Sequence, residues 1–241
     1  MADQQGAKVK GIVDIVFLID ATGSMQPCID ALKANISTFI DTLTTPNANN
    51  QAPVKHWRAK AVGYRDFGSD QQPLIDHPFV EDAAAIKAQL AEITAEGGGD
   101  EAESLLDALY RVATMEQTGK GGQFEPTKWR YRSDAARVVI VFTDAPYKDV
   151  MTSPAGGTFD DLKNAIHGNR IILSIFAPNL PCYDLLAGLD KSELMAYDFD
   201  ASDLQGSQKA LAEFTADREN FRQTLVQLAK SVSKSAEVPS L

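Results

Sequence analysis

A doubly wound α/β fold, with a mostly parallel central sheet, one antiparallel edge strand and helices on both faces, is what this sequence predicts. Two continuous apolar, β-branched runs, 12–19 and 137–143, each lead into an acid, Asp20 and Asp144. That is the pattern of parallel strands buried on both faces. Segments with apolar residues at helical spacing alternate with such runs along the chain, which implies right-handed crossovers. The 241 residues are 44% hydrophobic, enough for one sizeable core, and no repeat or linker marks a second. One domain is expected over 11–235, with flexible ends at 1–10 and 236–241.

The first strand spans about 12–19. A helix over 25–43 follows, because Ile29, Leu32, Ile36, Phe39, Ile40 and Leu43 form one stripe. Three Asn and two Pro make 44–53 a loop. A second strand starts at His56 and reaches Tyr64. Pro73 and Pro78 bracket a short segment, 74–80, suited to an antiparallel edge strand. Alanine-rich 83–93 is helical and is ended by Gly97-Gly98-Gly99. Asp100 and Glu103 have the spacing of an acidic capping box, so the next helix is expected to open there and run to about Met115. Residues 117–135 form an irregular insertion in which Lys120, Lys128, Arg130 and Arg132 accompany Trp129 and Tyr131. After the strand at 137–143 come a helix over 159–167, a strand over 171–176, a short helix near Leu185, and a last strand over 194–199. Phe221, Leu225, Leu228 and Val232 give the closing helix, 217–233, one apolar face.

The net charge of −10 disfavours nonspecific attraction to nucleic acid or anionic membrane. Cys28 and Cys182 lie far apart and lack C-x-x-C spacing, which suits reduced thiols in a cytoplasmic protein. Asp14 interrupts the apolar run behind Lys8 and Lys10, so the start reads as a strand and not as a secretory leader. No stretch approaches the roughly 18 apolar residues of a membrane span.

Asp20, Thr22 and Ser24 stand where an open parallel sheet places its ligands, beyond the carboxyl end of a strand. One carboxylate and two hydroxyls suit a small hard cation such as Mg2+, with Mn2+ or Ca2+ possible. Asp144 repeats the placement of Asp20. The run Asp20-Ala21-Thr22-Gly23-Ser24 resembles the D-x-S-x-S loop of the von Willebrand factor type A domain, a Rossmann-like fold with a metal-ion-dependent adhesion site, with Thr in place of the first Ser. The resemblance implies two further ligands, one from a glycine-rich second loop and one after the central strand. Asp100 and Asp144 hold those positions, although Asp100 also suits a helix cap. Tyr64-Arg65-Asp66-Phe67, Thr143-Asp144-Ala145-Pro146 and Trp129-Arg130 resemble the branch found in prokaryotic proteins and beside alpha-kinases.

Such a site implies a binding module, in which the ion takes an Asp or Glu carboxylate from a protein partner, as one component of a multi-protein system. Two rivals remain at this stage. A strand ending in Asp also opens the D-x-D-x-T/V motif of haloacid dehalogenase-type phosphohydrolases, but Thr22 stands where the general acid would be. The basic insertion at 120–137 could stack nucleic-acid bases on Trp129 and Tyr131, although it precedes a strand and so lies at the opposite end of the sheet. Asp66 reads either as an outer-shell acid or as a local salt bridge or cap.

Overall fold

The computed structural model describes residues 11–46, 54–97, 102–203 and 205–237. Among the described residues six strands form one sheet in the order β3-β2-β1-β4-β5-β6: β1 (Ile12–Asp20), β2 (His56–Tyr64), β3 (Leu74–Asp76), β4 (Ala136–Phe142), β5 (Ile171–Pro178) and β6 (Ser192–Tyr197). All neighbours are parallel except β3, which pairs antiparallel to β2 through Val62 with Asp76 and Tyr64 with Leu74. The chain winds outward from β1 in one direction and from β4 in the other. β1 and β4 are therefore the adjacent strands at which the winding reverses, and a crevice opens beyond their carboxyl ends. Register places Ile19 beside Phe142, so Asp20 and Asp144 leave neighbouring strands at nearly the same level.

Both faces of β1 are covered, which explains its apolar run from Ile15 to Ile19. Val13, Ile15, Phe17 and Ile19 face one core, with α1 (Gln26–Thr44), α2 (Ala83–Glu92), α6 (Gly206–Ala216) and α7 (Arg218–Glu237). Val16 and Leu18 face the other, with α3 (Leu105–Ala113), α4 (Phe159–Asn169) and α5 (Tyr183–Ala187). Pro27 sits in the first turn of α1, where a missing N–H costs nothing. The stripe of α1 packs on the sheet, Phe17 meeting Phe39 edge-on at 5.2 Å between centroids. Phe221, Leu225, Leu228 and Val232 of α7 are fully buried beside it.

Three sequence expectations are corrected. Helix α3 opens at Leu105, with Ser104 before it, and not at Glu103, while Asp100 lies outside the described residues. Glu103 cannot be helical because its backbone pairs with the loop after β4, its N–H donating to Pro146 O at 2.8 Å and its carbonyl accepting from Lys148 N at 2.9 Å. Helix α6 is an addition. Only Gly206, Leu211 and Thr215 are buried along it, too few to write a stripe, and Phe214 anchors it against Phe176 at 5.2 Å. Finally, β6 is shifted two residues toward the amino terminus of its expected position.

The aromatic insertion is built inward. Trp129 is fully buried, its indole N–H donating to Val112 O at 2.9 Å, so it offers no stacking face to a nucleic acid. Around it runs an ion network at the amino end of the sheet. Asp14, 0% exposed, accepts from Arg58 Nε at 2.8 Å and Nη2 at 2.7 Å, and from Arg130 Nη1 and its amide N at 2.7 Å each. Arg58 also donates to the carbonyls of Glu125 and Lys128 and lies over the Phe79 ring at 4.3 Å. Lys128 pairs with Glu116 and Glu125. Lys128 and Arg130 of the insertion thus neutralise acids. Among the described residues, no helix is long and apolar enough to cross a membrane, and Cys28 and Cys182 are free thiols.

Candidate metal centre

Four chain segments meet above the carboxyl ends of β1, β2 and β4. The first is the turn after β1. Asp20 is 0% exposed, and its Oδ1 accepts from the amide of Thr22 at 2.9 Å and from the Thr22 hydroxyl at 2.7 Å, a local turn that short polar side chains favour. Its Oδ2 accepts from the Thr143 hydroxyl at 3.0 Å, a bond from the end of β4 that fixes the two strands relative to each other. A 3-10 turn, Gly23–Met25, follows with Thr22 as its N-cap and carries the half-buried Ser24.

Asp144 follows Thr143 and is 1% exposed, yet both its carboxylate oxygens lack a hydrogen-bond partner among the described residues. Buried polar atoms are nearly always paired, so a carboxylate with two orphan oxygens calls for a ligand. Burial raises its proton affinity, and the neighbouring Ser24 hydroxyl and its own amide offset this only in part. Burial and the facing Asp144 push Asp20 up to about 7, against the hydrogen bonds from Thr22 and Thr143.

The second loop enters beside the first, Glu96 N donating to Ala21 O at 2.9 Å and Gly23 N to Gly97 O at 3.4 Å. It leaves beside the third through the Glu103 pairing described above. Asp100 lies between these anchored flanks but outside the described residues.

The loop after β2 contributes Asp66, which the sequence left between two readings. Its Oδ1 accepts from Gly68 N at 2.9 Å, the Ser104 hydroxyl at 3.0 Å and Lys148 Nζ at 2.8 Å, and its Oδ2 accepts from the Ser69 hydroxyl at 2.8 Å. Burial opposes the charge, but Lys148 and these hydrogen bonds hold the carboxyl well below the usual range. Asp66 is thus an ionised hub tying the loops after β2 and β4 to the start of α3. Glu103, 5% exposed, was legible only as a cap. Burial and the fields of Asp20, Asp66 and Asp144 push it up to about 8, with Lys148 opposing.

The oxygens of Asp20, Thr22, Ser24 and Asp144 are hard donors that could hold a small divalent cation. Among the described residues, no three His, Cys, Asp or Glu side chains are grouped closely enough to enclose a metal unaided. Hydroxyls and water would therefore have to complete any coordination shell.

A family model described as the von Willebrand factor type A domain matches residues 14–173 of this chain. The chain is also 24% identical over 235 residues to Alpha-protein kinase vwkA of Dictyostelium discoideum, an alignment covering 94% of this chain and 34% of that protein. It therefore spans about a third of the length of that relative.

Proposed function

The chain belongs to the von Willebrand factor type A domain family, and from that premise we propose that it is a metal-dependent protein-protein interaction module. Domains of this family are generally interaction modules, often dependent on a metal. In this reading Asp20, Thr22, Ser24, Asp100 and Asp144 hold one divalent cation, Mg2+ by preference with Mn2+ or Ca2+ as substitutes, some of them through water. The observation that carries it is Asp144, a carboxylate 1% exposed whose two oxygens are both unpartnered among the described residues, at the strand pair where the winding reverses.

When bound, the ion supplies an electrophilic position for an Asp or Glu of the partner. The chain's own groups do the positioning. Thr143 and Thr22 hold the Asp20 carboxylate in one orientation, and the Asp66, Ser104 and Lys148 bonds keep the surrounding loops from drifting apart. A partner carboxylate reaching this site would be charge-paired and directional, which favours specificity. The module is one component of a larger assembly, working in a reducing, cytoplasmic setting, as its two free thiols suit.

No catalytic role is proposed. Thr22 stands where a phosphohydrolase of the dehalogenase type would keep its general acid, and its hydroxyl is committed to Asp20. The kinase name belongs to a relative of which this chain spans about a third. Calorimetry with MgCl2 or MnCl2 tests the site: the wild type is expected to bind one ion and Asp20→Ala to lose the binding heat. Equal binding by the two proteins sinks the assignment. A pull-down repeated with magnesium and with chelator tests the module, its partner being retained only with magnesium.

A further inference from the structure

We propose that a cavity at the amino end of the sheet, between α7 and the starts of β5 and β6, binds a small aliphatic carboxylate. It lies at the other end of the strands from the crevice above β1 and β4, and it stands without the cation reading. Ile172, Leu173, Lys191, Glu193, Ser231 and Lys234 line it, and its volume is about 230 Å³. An apolar protein cavity of about 150 Å³ takes benzene, so this one has room for about nine heavy atoms.

Wall and rim differ in chemistry. The wall is mainly carbon, with Ile172 packed on the α7 side of β5 against the first core and Leu173 next to it. The rim carries two exposed lysines from separate elements. Lys234 stands three residues after Ser231 on α7, so both lie on one helix face. Lys191 precedes β6 with φ at 58°, a left-handed conformation that is uncommon for a lysine. Its carbonyl accepts from Leu173 N at 3.1 Å, and the next amide, Ser192 N, donates to Leu189 O at 3.2 Å, which fixes the turn. Neither ammonium has an ion-pair partner among the described residues. Glu193, the one acid on the described lining, has its Oε1 engaged by the Ser174 hydroxyl at 2.7 Å. Two ammoniums against one carboxylate make the cavity net positive in a chain of net charge −10. A carboxylate at the lysines, with a short carbon chain laid on Ile172 and Leu173, meets both parts. Inorganic phosphate would leave the carbon wall uncovered, and an alkylamine would be repelled at the rim.

Sodium hexanoate fits the volume and is the probe. It is titrated into the whole, isotopically labelled chain and followed by amide NMR, beside butyrate, hexylamine and inorganic phosphate at matched ionic strength. Hexanoate is expected to give saturable shifts of the Leu173, Ser192, Ser231 and Lys234 amides. Butyrate, two methylenes shorter, is expected to bind about tenfold more weakly, and hexylamine and phosphate not to saturate these amides. Lys191→Met and Lys234→Met are each expected to weaken hexanoate about three- to fivefold. Lys234 could instead serve only the carboxyl end of α7, where a cation is favourable. Lys234→Met would then lower the melting temperature and leave hexanoate affinity unchanged. That result overturns the inference, as do absence of saturable shifts with hexanoate, equal binding of hexylamine or phosphate, or unchanged affinity in Lys191→Met.

Discussion

Stripped of divalent cations, the protein is expected to lose stability steadily as pH rises from about 4 to about 8, and to regain most of it with saturating magnesium. Asp20 is pushed from 3.8 to about 7 and Glu103 from 4.5 to about 8, each chiefly by burial. Between those limits the unfolded chain has released both protons while the folded chain retains them. The folded state then binds more protons, so stability falls with rising pH. Asp66 works in the other direction, its depressed carboxyl contributing stability above 3.8 that is lost as pH drops further. A maximum near pH 4–5 in chelator follows from the two signs together. Every tenfold gain in a carboxylate's proton affinity on folding corresponds to about 1.4 kcal/mol, but Asp20 and Glu103 act on each other and their losses overlap. A combined loss of about 4 kcal/mol, or roughly 10 °C in melting temperature, is the expected scale. Thermal melts over this pH range, with chelator and with magnesium, provide the measurement. A profile that is flat or rises in chelator contradicts the acid cluster. A falling profile that magnesium does not flatten keeps the acids but removes the ion.

The parts of this architecture legible in sequence are those that local physics writes locally. A strand buried on both faces must be apolar at consecutive positions, so β1 and β4 announced themselves, and the acids that end them marked the crevice between them. The single-faced stripes of α1 and α7 were equally plain. Glu103 was not, because Asp100 with Glu103 has the spacing of a cap and only the distant loop after β4 forbids the helix. Helix α6 buries too few residues to leave a period. Trp129 among arginines left a stacking platform open as a rival to a plain loop, since nothing nearby shows that Val112 accepts its N–H and that Asp14 fixes the neighbouring Arg130. Asp14 itself registered only as a break in an apolar run. Its partners are 44 and 116 residues away, and pairings at that range have no periodic signature.

Breaking that ion network is expected to be strongly destabilising, Arg58→Met costing about 3–5 kcal/mol. Asp14 and Arg58 both have fully buried side chains, and Asp14 takes two of its four hydrogen bonds from the Arg58 guanidinium. Methionine keeps much of the volume but leaves a carboxylate, 0% exposed, that has lost two of its hydrogen bonds and keeps those from Arg130. The carbonyls of Glu125 and Lys128 lose a donor as well, so the insertion loosens together with the strand. Pairing the change with Asp14→Leu removes the uncompensated charge, and the double variant is expected to be more stable than Arg58→Met alone, a coupling that denaturant unfolding of all four proteins measures. Additive costs would mean that the charges do not depend on each other. The same variants separate scaffold from site. Asp14 and Asp20 are six positions apart on one strand, about 20 Å along the sheet, at opposite ends. Arg58→Met is therefore expected to lower the melting temperature by roughly 10 °C while the folded protein binds magnesium as the wild type does. If magnesium binding falls as far as in Asp20→Ala, the two ends of β1 are energetically linked, and loss of binding alone can no longer identify a residue as a ligand.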